Sequence, residues 1–255
     1  MRKATKRKGA SRRSDIPADV LAQLNAGTLE TATLAESLAI DYTALLMVAL
    51  PKHADAARSC FAPDDGIKRR MELAGAFLAT KANARELARL AKHTSDTVRG
   101  WVPFAIGLLP DLSLANRLKQ VRPLADDAHF GVRECAWMGV RSSIAEDIEA
   151  AILELETWTQ AESPNVRRFA VEATRPRGVW CAHINELKAS PEQGLPLLEP
   201  LRGANEKYVQ DSVANWLNDA AKSQPKWVRS LCRRWLKESP TAQTQRICQR
   251  AQRSI

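Results

Sequence analysis

Residues 163–180 read SPNVRRFAVEATRPRGVW. Ser163 followed by Pro164 is the pattern of a helix N-cap and a first helical residue. Val166, Phe169, Ala170 and Ala173 then recur at helical spacing, and Arg167, Arg168, Glu172 and Arg175 occupy the opposite face. Pro176 removes a backbone donor and disfavours helix in the residues before it, so the helix is expected to end near Arg175. Arg175, Arg177 and Trp180 are then released into the connection that follows.

The start of this helix recurs along the chain. Val98-Arg99, Val132-Arg133 and Val166-Arg167 stand at intervals of 34 residues, and Val209-Gln210 follows 43 residues later. A turn-prone stretch precedes each pair and an apolar helical stripe follows it. Partner helices are expected between them, over 112–124, 145–161, 192–201 and 226–237. Earlier segments at 17–24, 29–38, 42–50, 65–81 and 83–92 are also helical in pattern, and no alternating strand pattern appears. A helix pair repeated at this period predicts an all-α, HEAT-like or armadillo-type α-solenoid of antiparallel helix pairs. Residues 16–255 are read as one such domain, with an N-terminal helical cap to about residue 90 and recognisable repeats over 91–255. Stacking in register is expected to align Arg99, Arg133, Arg167, Arg168 and Arg175 on a concave basic face that follows a phosphate backbone. The competing expectation is that the repeated arginines bridge to acids of the adjacent repeat.

Composition narrows the function classes. With 45% hydrophobic and 26% charged residues the chain has an ordinary globular balance, and seven Trp against two Tyr is its main bias. No apolar run reaches the roughly 18 residues of a membrane span, and no secretory leader is visible, so a cytoplasmic, nucleoid-associated protein without a membrane partner is expected. The five cysteines form no CxxC pair, which argues against a zinc site or a disulfide framework. Seven of the nine surplus positive charges lie in residues 1–14, as Arg2, Lys3, Lys6, Arg7, Lys8, Arg12 and Arg13. Residues 1–15 therefore read as a disordered basic arm attracted to phosphate without sequence selectivity.

The chain shows no Gly-rich phosphate loop, no HExxH and no nucleophile elbow, and its four histidines are scattered. Carboxylates and tryptophans remain. Glu172 and Trp180 stand out in the first segment, and Asp219 stands near the end of YVQDSVANWLNDAAKSQP, residues 208–225. There Val209, Val213, Trp216 and Leu217 make one apolar stripe, and Asn215 lies one helical turn before Asp219, placed to orient it or a water. Trp137, Trp158, Trp227 and Trp235 fall in apolar stripes as packing residues. Trp101 could fill the core or line the concave surface.

The strings VRRFAVEATRPRGVW and YVQDSVANWLNDAAKSQP resemble the DNA alkylation repair glycosylases built from HEAT-like repeats, and among them the AlkC branch more than AlkD. The likeness is strongest over about 126–235. It implies a monofunctional glycosylase that hydrolyses the N-glycosidic bond of cationic alkylated bases such as 3-methyladenine in double-stranded DNA. No cofactor or metal is implied, and a monomer is expected. Carried over position by position, Glu172 and Asp219 fall on catalytic positions, with Glu134 a looser third, and Trp180 falls on a lesion-binding position. A carboxylate there stabilises an oxocarbenium-like sugar and positions water, while an indole meets the cationic base for about 0.5 to 2 kcal/mol. Arg167, Arg168, Arg175 and Arg177, with Arg99 and Arg133, would hold phosphates. Gly178-Val179 stands where Leu-Pro is the family pattern, Trp216 stands where His is, and the immunoglobulin-like extension of some members is not expected. The alternatives are a non-catalytic binder of branched or damaged DNA, in which Asp219 and Glu172 would be buried in ion pairs or turned away from the groove, and a protein-interaction scaffold.

Overall fold

The computed structural model describes residues 7–255, so Arg2, Lys3 and Lys6 of the basic arm lie outside the described residues. The helices are α1 (Ala18–Asn25), α2 (Leu34–Ala39), α3 (Tyr42–Ala49), α4 (Ala54–Ala57), α5 (Ile67–Lys81), α6 (Ala84–Leu90), α7 (Asp96–Leu108), α8 (Leu114–Ala125) and α9 (Phe130–Gly139). They continue with α10 (Arg141–Glu146), α11 (Ile148–Glu156), α12 (Pro164–Glu172), α13 (Asn185–Ala189), α14 (Leu195–Leu198), α15 (Lys207–Ala221), α16 (Pro225–Glu238) and α17 (Ala242–Ala251). Among the described residues there is no strand, and the all-α, HEAT-like class expected from the Val-Arg period is the class observed.

The chain divides into two compact units. One holds the described residues up to Pro110 together with His129–Gly139; the other holds Asp111–Ala128 and Val140–Ile255. In the first unit α5, α7 and α9 pack side by side. Their spacing is close because Gly139 has no side chain: a Cβ there would sit 2.4 Å from the carbonyl carbon of Pro103. Backbone cannot yield as a side chain does, so Gly139→Ala is expected to destabilise the fold by about 1 to 3 kcal/mol. A thermal melt unchanged within error would contradict this packing. Trp101 lies in the core of this unit, fully buried against Tyr42. Arg7 is the first described residue of the arm, and its guanidinium makes two hydrogen bonds of 2.6 Å to the buried Glu36 carboxylate.

In the second unit α12, α15 and α17 form one layer; α8 and α14 pack on α12 and on α11, and α16 packs on α15 and α17. Some helices are shorter than their pattern suggested, for local reasons. The segment expected over 29–38 is helical only from Leu34, because Thr33 caps there by accepting from Glu36 N and Thr31 is held outside the helix by the Asp96 carboxylate. The segment expected over 145–161 breaks at Asp147, which caps α11 through Ala150 N, and finishes in a 3-10 turn. The segment expected over 192–201 is fragmented into short turns around Pro191, Pro196 and Pro200, which supply no backbone donor.

The repeat itself has a structural meaning in both units. Val98, Val132, Val166 and Val209 are all buried, and the residue after each valine lies near its helix start. Arg99 Nη1 donates to the carbonyls of Thr94 and His93, five and six residues back, at 2.9 and 2.7 Å. Arg167 Nη1 makes the same pair to Glu162 and Ala161 at 2.8 and 2.6 Å, and Gln210 Nε2 makes it to Asn205 and Ala204 at 3.2 and 2.8 Å. The repeated position is a staple that closes the connection onto the helix it precedes. An amide serves as well as a guanidinium because the bonds are to neutral carbonyls.

Candidate active site

Helix α12 begins as its sequence dictates, with Ser163 Oγ accepting from Asn165 N and Pro164 in the first turn. Its apolar stripe is buried, and that burial carries Glu172, on the last turn, inside the protein at 4% exposure. The chain then leaves the helix, and Thr174 Oγ1 bonds back to the carbonyls of Ala170 and Val171. Arg175 is therefore turned inward and is 8% exposed. Its Nη1 donates to Glu172 Oε1 at 2.7 Å, and its Nε and Nη2 both approach Asp219 Oδ2 at 2.8 Å.

Asp219 is supplied by α15 and is 4% exposed. Ser212, two turns earlier on the same face, donates to Glu172 Oε2 at 2.7 Å. Trp216, between them, sends its indole N–H to the Thr174 carbonyl at 3.0 Å and so fastens α15 to the end of α12. Asp219 Oδ1 accepts no hydrogen bond from a described residue, and the Lys222 ammonium lies 3.8 Å from it. The Arg168 guanidinium stands 3.6 Å from Glu172 and lies over the Tyr208 ring at 4.4 Å.

A second arginine fixes the connection from behind. Arg141, 3% exposed, donates to the carbonyls of Ala173 and Arg175 at 2.7 and 2.6 Å and to that of Ala182 at 3.2 Å. The segment it brackets carries Val179 and Trp180, both more than half exposed, and Trp180 takes a left-handed backbone with φ of 62°. That conformation is costly for a bulky residue and persists only where its surroundings impose it. Gly178 is part of the constraint, since a Cβ there would lie 2.2 Å from Cys181 Sγ.

The electrostatics favour an ionised Glu172. Burial by itself pushes the Glu172 carboxyl up, but Arg168, Arg175 and the Ser212 hydroxyl together outweigh it and hold the group below its ordinary range. Burial likewise opposes the charge on Arg175, and Glu172 and Asp219 more than restore it. Burial holds the Arg141 guanidinium below its usual value. A carboxyl depressed in the folded state contributes stability above its unfolded pKa, and that contribution is lost as pH falls through the folded value. The melting temperature of the protein should thus fall as pH drops from about 5 toward 3, and fall less steeply in Glu172→Gln. Parallel curves for the two proteins would remove this contribution.

Several expected roles change in the structure. Arg175 was expected on phosphate, but both edges of its guanidinium are occupied by buried carboxylates. Arg99 is 8% exposed and pairs with Glu30 at 2.5 Å, and Arg167 pairs with Glu206 at 2.7 Å, so both staple the fold as the competing expectation had it. Arg177 is half-buried with Nη2 on Ser223 Oγ at 2.8 Å. Asn215 accepts from Arg253 Nη2 at 2.8 Å and does not orient Asp219; Arg175 does. Arg133 and Glu134 are half-buried on α9 in the first unit, where Glu134 Oε2 accepts from Trp137 Nε1 at 3.0 Å. Arg141 and Ser212 were not singled out from sequence. The seven-residue spacing from Ser212 to Asp219 is a readable signal, whereas Val140-Arg141 stands outside the 34-residue period.

The chain is thus a helical-repeat protein with two carboxylates and a guanidinium buried at adjoining helix ends, and an exposed tryptophan in the connection that follows Arg175. The model of the family described as DNA alkylation repair enzyme matches residues 132–243, a span that contains Arg141, Glu172, Arg175, Trp180, Ser212 and Asp219. It is 34% identical over 137 residues to the uncharacterized protein YhaZ of Bacillus subtilis (strain 168), covering 52% of this chain and 38% of that one. Its structure is similar to that of the Pseudomonas fluorescens alkylpurine DNA glycosylase AlkC bound to DNA containing an abasic site analog. That likeness has a TM-score of 0.65 and 25% identity over 84% of this chain and 60% of the other. The smu.31 protein of Streptococcus mutans UA159 shares the fold, with a TM-score of 0.54 and 19% identity over 84% of this chain and 100% of the other. The chain spans 38% of the length of YhaZ and 60% of the AlkC chain, less than two thirds of either.

Proposed function

We propose that the protein is a monofunctional DNA glycosylase that binds duplex DNA and excises cationic alkylated bases, 3-methyladenine among them. The observation that carries the reading is the placement of Asp219: the Arg175 guanidinium fixes one oxygen, and the other accepts no hydrogen bond from the described residues. A base alkylated at a ring nitrogen already bears the positive charge of a good leaving group, so bond cleavage needs no strong acid. It needs a negative charge near the sugar as oxocarbenium character develops, and a water to complete hydrolysis. Arg175 holds Asp219 through Oδ2, leaving Oδ1 to face the sugar or to accept the proton of that water. Glu172 keeps Arg175 in place and is itself held by Ser212 and Arg168, so its part is positioning. Trp180, more than half exposed, would offer its ring face to the cationic base. The family match and the likeness to an alkylpurine glycosylase support the same chemistry. Incubation with duplexes carrying 3-methyladenine or 7-methylguanine tests the reading, with free base and abasic sites expected in equal amounts.

One observation favours a second reading. Glu172 and Asp219 are both buried in ion pairs, the arrangement expected of a non-catalytic protein that binds damaged DNA. Duplex binding with no free base from either lesion would establish that reading in place of the first.

A further inference from the structure

Helix α16 presents a row of cations that neither the fold nor the site uses. Val228, Leu231, Cys232 and Trp235 bury one side of the helix. Lys226, Arg229, Arg233 and Lys237 occupy the opposite side and are all exposed. At 3.6 residues per turn these four fall within about 80° of arc and extend over about 16 Å. None of the four forms an ion pair with a described residue, since the Glu199 and Glu238 carboxylates are taken up by Arg234, which stands to one side. Such a stripe is not a general property of the helices of this unit. Helix α11, in the same unit, exposes Glu149, Glu154 and Glu156 and carries no cation.

The row begins next to the candidate site. Lys222, 3.8 Å from Asp219, ends α15, and Ser223, held by Arg177, lies in the turn that leads into α16. Lys226 follows one turn of chain later. From these observations we propose that Lys226, Arg229, Arg233 and Lys237 form a phosphate track that carries one strand of the duplex away from the Asp219 site. The inference rests on the DNA-binding part of the function proposed above. A DNA strand offers a phosphate every 3.4 Å of duplex axis, so about 16 Å of helix meets roughly five phosphates with four cations. The apolar side of α16 is buried against α15 and α17, which leaves no apolar face to enter a lipid surface.

The test compares three full-length proteins on the same undamaged and 3-methyladenine duplexes across a salt titration. They are the wild type, the fourfold variant Lys226→Gln, Arg229→Gln, Arg233→Gln, Lys237→Gln, and a control in which the exposed Arg69, Lys81, Arg85 and Lys92 of the first unit become Gln. Each phosphate contact contributes about 0.9 to the slope of log affinity against log salt. The fourfold variant is expected to lose about 3 to 4 from that slope and to bind more than tenfold more weakly at about 0.1 M salt. Its base-release rate at saturating DNA should equal that of the wild type, and the control should lose less than 1 from the slope, about one contact. A slope unchanged in the fourfold variant, or lowered as much in the control, overturns the track while leaving the glycosylase reading standing. Failure of the wild type to bind duplex DNA overturns both. Binding without base release overturns the glycosylase reading alone.

Discussion

In single-turnover reactions on a duplex carrying 3-methyladenine, Asp219→Asn is expected to release base about 10²- to 10³-fold more slowly than the wild type, with affinity for the duplex nearly unchanged. The substitution keeps the shape of the side chain and an oxygen that can accept from Arg175. It removes the negative charge that the developing sugar cation would meet and the basic atom that would take a proton from water. Because Asp219 is 4% exposed and half enclosed by Arg175, little of it is available to grip phosphate, so binding should not report its loss. A variant that loses affinity but keeps its single-turnover rate would show that Asp219 serves only to hold the fold at the DNA contact. Glu172→Gln gives a contrasting expectation, since it retains Asp219 and loosens only the clamp around Arg175. Its defect should be smaller than that of Asp219→Asn.

The largest effect on stability is expected for Arg175→Met. Methionine fills much of the volume but leaves Glu172 and Asp219 without their shared guanidinium, each at 4% exposure. Breaking a buried pair in this way costs about 3 to 5 kcal/mol, because a carboxylate left in place without its cation must be desolvated unpaired or take up a proton. The second route implies a pH dependence. The penalty should shrink as pH falls toward 4, where protonation relieves the stranded charge. Urea unfolding at neutral and acid pH measures both quantities. A loss below about 1 kcal/mol at neutral pH would place the pair among weak surface contacts and contradict its burial.

The fold was legible because its main signal is periodic and local. Val98, Val132, Val166 and Val209 mark helix starts, and burial of all four follows from the stripe each begins. The arginines beside them were harder to read. Arg99 and Arg167 reach back to carbonyls five and six residues earlier, and that reach depends on the shape of the preceding connection, which pattern alone does not specify. A guanidinium suited to phosphate is equally suited to a turn of unpaired carbonyls.

The candidate site was legible as a set of residues and not as an arrangement. Glu172, Arg175 and Asp219 are brought together as expected of neighbouring repeats, but Arg175 points inward because α12 and α15 pack at its level and Thr174 turns the chain there. Trp216 illustrates a departure with a compensating contact, since its indole N–H ties α15 to the Thr174 carbonyl. Arg141 was invisible for a different reason. Its three carbonyl partners lie 32 to 41 residues away, and nothing in the sequence around it marks that reach.

The central claim is that the carboxylate fixed by Arg175 supports cleavage of the bond to an alkylated base. The measurement that tests it most directly is the amount of free 3-methyladenine released by the wild-type protein from a methylated duplex, read in a single turnover beside Asp219→Asn. Stoichiometric release by the wild type and a hundredfold or greater slowing in the variant is the expected result, a factor within the range for loss of one stabilising group. Equal release by both proteins, or none by a wild type that binds the duplex, would contradict it.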